Sequence, residues 1–170
     1  TASVARPLRD FVRFAIDAVA QRDLDKFHRV YSFRLYNAAD EIAAARYIAA
    51  RTAPEEGLFV WGADATVAYL ADRPNPTRFS FLLPLTMTGA FLDQYRDEAM
   101  QGLTARPPVY IVSGIAWDGL SEADKLLPDF PEFEAFLKTY YELETTIGAL
   151  KLYRLRAVPA AVGAALEARP

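Results

Sequence analysis

Cysteine is absent from the 170 residues, which removes disulfides, thiolate metal sites and cysteine nucleophiles together and leaves the redox compartment undecided. A single histidine, His28, excludes the usual imidazole metal cluster, and among Lys26 and Arg29 it reads as an ordinary surface residue. No apolar run approaches the ~20 residues needed to cross a bilayer, and no charged-then-apolar leader is present. No excess of basic charge is found either. With a net charge of -3 and a pI near 5.2, the chain lacks the concentrated Lys/Arg surface that neutralises phosphates, so a nucleic-acid partner is not expected. No P-loop lysine motif and no three-glycine dinucleotide loop occurs, which argues against nucleotide binding.

What is present is apolar and aromatic. A hydrophobic content of 52% with 13% aromatics is enough to fill one domain core and is unlike a disordered chain. Charge is uneven: residues 1–34 hold seven Arg/Lys against four Asp, a local +3 that leaves the remainder at -6. Within that basic end Leu8, Val12, Ala15, Ile16 and Val19 recur at helical spacing, and Leu24, Phe27 and Tyr31 suggest a second helical segment after Asp23. The chain begins at Thr1 and not at Met, so a longer parent polypeptide is expected.

Asn37 or Asp40 offers the start of a helix carrying Ala38, Ile42, Ala45 and Ala49, which ends before Pro54. Leu58-Phe59-Val60-Trp61, closed by Gly62, has the continuous apolar character of a strand buried on both faces. Asp64–Ala71 reads as a short helix and Arg73-Pro74-Asn75-Pro76 as a loop. Arg78–Leu83 reads as a second strand stopped by Pro84. A helix with Phe91, Tyr95, Ala99 and Leu103 precedes Val109–Val112, a third strand ending at Ser113-Gly114. Asp129 and Pro131 then start a helix striped by Phe133, Phe136, Leu137 and Tyr140. Glu142–Ile147 and Leu150–Leu155, flanking Gly148-Ala149, read as a closing antiparallel hairpin. The expectation is a three-layer α/β domain over residues 37–156. Its sheet is mixed and mainly parallel, with the first three strands parallel and the hairpin at one edge. Extra N-terminal helices fill 1–36, and an Ala-rich tail covers 157–170.

In an open parallel sheet ligands bind beyond the carboxyl ends of the strands, which singles out Trp61, Asp64, Trp117 and Asp118, with Arg78 at the start of the expected second strand. Each has an ordinary alternative. Trp61 fits a core residue as well as a ligand platform. Asp64 and Asp118 fit residues at a turn or helix start. Arg78 fits an ion pair with Asp72 or Asp64. Ser113 precedes a glycine, but Ile111 and Ile115 stand where a nucleophile elbow needs glycines, so a serine hydrolase is not supported. No catalytic residue and no metal or cofactor site is assigned.

The stretch Ala43–Gly62 (AAARYIAARTAPEEGLFVWG) resembles a segment of bacterial membrane glycosyltransferases of the dolichyl-phosphate-mannose protein mannosyltransferase type, also called glycosyltransferase family 39-like. Similar pieces follow in the same order: Tyr69–Arg73, Pro76–Phe79, Pro107–Val112, Phe130–Phe133, Tyr140–Leu143 and Leu152–Arg154. Their order and spacing, over residues 38–156, carry the resemblance; none is a catalytic signature. The resemblance implies a polytopic inner-membrane enzyme using a polyprenyl-phosphate-linked sugar, its acidic catalytic residues lying in a part outside this chain. This segment would then be a C-terminal domain on the periplasmic or extracellular side, helping to position acceptor or lipid-linked donor. The expected partners are the transmembrane part of the same polypeptide and, through residues 4–34, an anionic membrane surface. The alternative is a free-standing α/β module that binds a small molecule or a protein at the strand ends.

Overall fold

The computed structural model describes residues 37–116 and 121–156. The expectations for residues 1–36, including His28 and the amphipathic segment, for Trp117 and Asp118, and for the tail from 157 lie outside the described residues.

Helix α1 (Ala38–Ala49) starts where a side chain replaces a missing helical partner: Asn37 Oδ1 accepts from the Ala39 amide at 3.0 Å. Asp40 and Glu41 lie in its first turn and Arg46 in its last, each charge favourable to the helix dipole. The chain returns through Pro54 into strand β1 (Leu58–Trp61), then helix α2 (Ala65–Ala71). A one-turn helix α3 (Leu83–Thr86) and the longer α4 (Leu92–Ala105) lead to β2 (Tyr110–Ser113). A 3-10 turn at Ala123–Asp129 and helix α5 (Pro131–Tyr140), with proline in its first turn where no amide is required, precede the hairpin β3 (Tyr141–Ile147) and β4 (Leu150–Leu155).

The four strands lie in the order β1-β2-β4-β3. The α/β class, the mixed sheet and the C-terminal hairpin agree with the sequence expectation. The parallel part is one pair, β1 with β2, because the segment expected to be the second strand is not a strand. Residues 78–82 form a loop, and Leu83 already belongs to α3. The physical reason is local. Asn75 Oδ1 accepts from the Thr77 amide and hydroxyl, and its Nδ2 donates to Phe79 O, so these backbone groups have side-chain partners in place of a ladder. The loop still serves the sheet: Leu58 N donates to Pro74 O and Leu82 N to Gly62 O, engaging β1 at both ends of its outer edge.

Alternation along the strands sends side chains to two cores. Phe59, Trp61 and Ile111 face Leu103 of α4 and Phe133 and Phe136 of α5, while Leu58, Val60, Tyr110, Val112 and Leu152 face Ala44, Ala45 and Ile48 of α1 and Val67 of α2. Helices thus cover both sides of the sheet, giving three layers. The α1 face packs closely because its inward residues are mainly alanine; the α5 face is filled by rings, with Phe133 at 5.6 Å from Phe59 and 4.9 Å from Trp61. Burying each such ring contributes about 1.5–3 kcal/mol before entropy is counted.

The hairpin turn uses glycine for two reasons. Gly148 has φ 56°, and a Cβ there would meet the Asp40 carboxylate. Among the described residues no helix is long and apolar enough to cross a membrane.

Candidate functional site

The carboxyl ends of β1 and β2 meet at two glycines. Beyond them the chains stay joined: Gly114 N donates to Trp61 O at 3.1 Å and Ala63 N to Ile115 O at 2.7 Å. Between them sits Asp64, buried, with Oδ2 accepting from the Ile115 amide at 2.7 Å. The carboxylate fits only because its neighbours have no side chains: a Cβ on Gly114 would stand 1.9 Å from Oδ2, and one on Gly62 2.7 Å. Burial pushes the Asp64 carboxyl above its ordinary range, against the opposing pull of the Ile115 amide, and Oδ1 has no hydrogen-bond partner.

Asp64, Ile115 and Leu150 enclose a gap of about 150 Å³ with Asn37, Asp40 and Glu41 at the start of α1, and the gap is too narrow to admit a water molecule. Asp64 is therefore a clasp between strand ends. The hydrogen bond from the Ile115 amide at this position holds β1 to the turn after β2; the gap has no room for a substrate.

The residues singled out in the sequence are not brought into one cleft. Trp61 is fully buried, its Nε1 donating to Ala123 O at 2.9 Å, so it offers no ring face to a ligand. Ser113 is buried too, with its Oγ unpartnered. Arg78 is at the surface, and its partner is neither Asp72 nor Asp64. It grips Glu98 of α4 with two bonds, Nε to Oε1 at 2.6 Å and Nη2 to Oε2 at 2.9 Å, and lies 4.8 Å from the Phe79 ring centroid and 5.1 Å from that of Tyr95. That bidentate bond holds the Glu98 carboxyl below its usual range and the guanidinium above its own. Among the described residues no group of three or more His, Asp or Glu side chains has the arrangement to hold a metal ion.

A polar network went unread in the sequence. Glu144 accepts from Tyr47 OH through Oε1 and from Tyr110 OH through Oε2, both at 2.8 Å, and Arg154 stands 3.8 Å from Oε1. The two tyrosine rings meet edge-on at 6.5 Å, and Arg51 lies 3.6 Å over Tyr47. Burial alone would raise the Glu144 carboxyl; the hydroxyls of Tyr110 and Tyr47, with Arg154 and Arg51, outweigh it and hold it below the ordinary range. Burial and the same carboxylate push the Tyr110 hydroxyl well above its usual range.

Glu144 reaches this position because β3 is bulged: pairing steps from Leu143↔Tyr153 to Thr145↔Leu152, leaving Glu144 without an opposite residue. The available signal was the tyrosines themselves, since a buried phenol needs a partner. A second knot, Arg73, makes five hydrogen bonds, to the carbonyls of Ala49, Thr52, Ala71 and Asp72 and to Thr52 Oγ1, tying the ends of α1 and α2 together.

Fold and site together define a three-layer α/β domain whose polar clusters join its elements. No family model, curated protein or solved structure matches the chain.

Proposed function

We propose that this chain is the extracytoplasmic C-terminal domain of a polytopic membrane glycosyltransferase that uses a polyprenyl-phosphate-linked sugar, with an accessory part in positioning acceptor or donor. The transferase chemistry is assigned to the membrane portion of the same polypeptide, and the domain's place is the outer side of the inner membrane. One observation carries the proposal: the separate stretches that resemble such enzymes touch one another. Tyr47, Tyr110 and Arg154, each from a different stretch, converge on Glu144, and Tyr141 OH, from a fourth, donates to Pro108 O of the Tyr110 stretch at 2.8 Å. Arg73 and Thr52, from two of the stretches, bond at 2.8 Å. Pieces that were only ordered in sequence become one framework in space, which supports a shared domain over a chance series of short likenesses.

The test is the reading frame that encodes the chain. Several membrane-spanning helices upstream of Thr1, with an acidic loop between early helices, are the expected finding; a frame without them overturns the proposal. Incubating the 170-residue chain with polyprenyl-phosphate sugars and acceptors adds a second arm. No transfer is expected without the membrane part, and turnover by the chain alone would move the chemistry into it.

A further inference from the structure

Helix α4 carries a polar stripe at the spacing of a core-facing one: Asp93, Arg96, Asp97 and Gln101 follow one another at steps that keep them on one side. The stripe faces the start of α5 across an open groove of about 580 Å³, within the size range of small-molecule sites, and Phe130, Pro131 and Glu132 line its other side. Arg96 is the informative side chain. Its Nε donates to Leu85 O at 3.0 Å, and its guanidinium carbon is held 4.8 Å over the Phe130 ring, so its orientation is set by the fold. Its two amino groups have no acceptor among the described residues, although three carboxylates line the same groove.

We infer that this groove is a binding site for a neutral saccharide, its hydroxyls taken by Arg96, Asp93, Asp97, Gln101 and Glu132. Charge decides between ligand classes. Phosphate or sulfate would suit the guanidinium but meets three carboxylates, a lining of net charge -2; a polyamine would suit the carboxylates but meets the Arg96 guanidinium. A polyhydroxylated neutral ligand needs both kinds of group, because each hydroxyl donates one hydrogen bond and accepts others. Carboxylates take the donated bonds and the guanidinium and amide supply the accepted ones, while Met100 offers an apolar surface for the C–H face of a sugar ring. Vicinal hydroxyls match the forked geometry of both carboxylate and guanidinium.

A saccharide contact at this groove rests on the proposed function and deepens it, and the two fail separately, since the reading frame tests one and sugar binding the other. The experiment is an amide-resolved NMR titration of the 170-residue chain with maltose, lactose and mannobiose, and in parallel with spermidine and inorganic phosphate. At least one neutral disaccharide is expected to give saturable shifts confined to residues 93–104 and 130–132. Asp97→Asn and Gln101→Ala, both at exposed positions, should weaken it about fivefold or more with the melting temperature unchanged, which is the effect of losing about one hydrogen bond. Saturable shifts at these amides with spermidine or phosphate alone, no saturable shift with any disaccharide, or unchanged affinity in both variants would overturn it.

Discussion

Replacing Gly114 by alanine tests the strand-end clasp through a coupling that the geometry makes specific. The φ of Gly114 is not in the left-handed region, so alanine suffers no backbone penalty, and the cost is one of space. The new Cβ would stand 1.9 Å from Asp64 Oδ2 and 2.8 Å from its Cγ, so the carboxylate must leave its place. Leu150 Cδ2, at 3.1 Å, need yield only a few tenths of an ångström. Once Asp64 is displaced, the buried Ile115 amide loses its acceptor, at a cost of about 1–3 kcal/mol. Asp64→Ala removes the same acceptor and should cost a similar amount. In the double variant the methyl at 114 enters the space the carboxylate has vacated, so the total should match the larger single change. The Leu150 adjustment occurs with or without Asp64 and cancels from the cycle. The expected coupling is therefore about 1–3 kcal/mol, against a total stability of about 5–15 kcal/mol for a domain of this kind. Urea unfolding at pH 7, with midpoints compared at constant slope, measures it. Additive effects of the two substitutions would refute the clasp.

Asp64 also has a pH signature. Its folded pKa is raised, so between the ordinary carboxylate range and that raised value the folded state holds more proton than the unfolded one, and stability falls as pH rises through this window. Asp64→Asn should remove that fall, seen as a flatter curve of urea midpoint against pH; an unchanged slope would count against the buried carboxyl. Glu144 has the opposite sign: its folded pKa is lowered, its stabilisation is present above the ordinary value of 4.5 and is lost as pH falls through the folded one. Glu144→Gln should cost about 1 kcal/mol at pH 7, much less near pH 3, with thermal melts at the two pH values as the check. Arg73→Met, which strips five hydrogen bonds and leaves the ends of α1 and α2 uncapped, should cost about 2–3 kcal/mol and speed amide exchange across residues 46–52. Protection equal to the parent chain would show that Arg73 is dispensable.

Elements with a long or emphatic pattern were readable from the residues. Asn37 before an alanine-rich stripe, Leu58–Trp61 before a glycine, and Phe133, Phe136 and Leu137 after Pro131 each became the expected element. Arg78–Leu83 did not, although its composition resembles that of β1. Strand propensity reports fitness for a half-buried surface and is silent on what the neighbouring Asn75 side chain will bond. The candidate residues fared less well. Strand ends in an α/β domain are a sound place to look for ligands, yet Trp61 turned into the aromatic core, Asp64 turned between two glycines, and Arg78 found Glu98, twenty positions away on α4. Glu144 was invisible because its position depends on a bulge that is set by pairing with β4.

Taken alone, the residues determined the class: apolar runs of strand length alternating with striped helices can bury their faces only as layers, and the missing cysteines and near-absent histidine closed off disulfide and imidazole metal chemistry. Local spacing is enough for this, because a helix stripe or a buried run is a property of neighbours in the chain. Which polar groups meet was decided by tertiary structure. Tyr47 lies 97 positions from Glu144, and Asp64 lies 51 from Ile115, distances across which nothing in local sequence specifies a partner. Those pairs exist because the packed sheet and helices leave each buried hydroxyl, carboxylate and amide few partners, and an unmade bond there is costly.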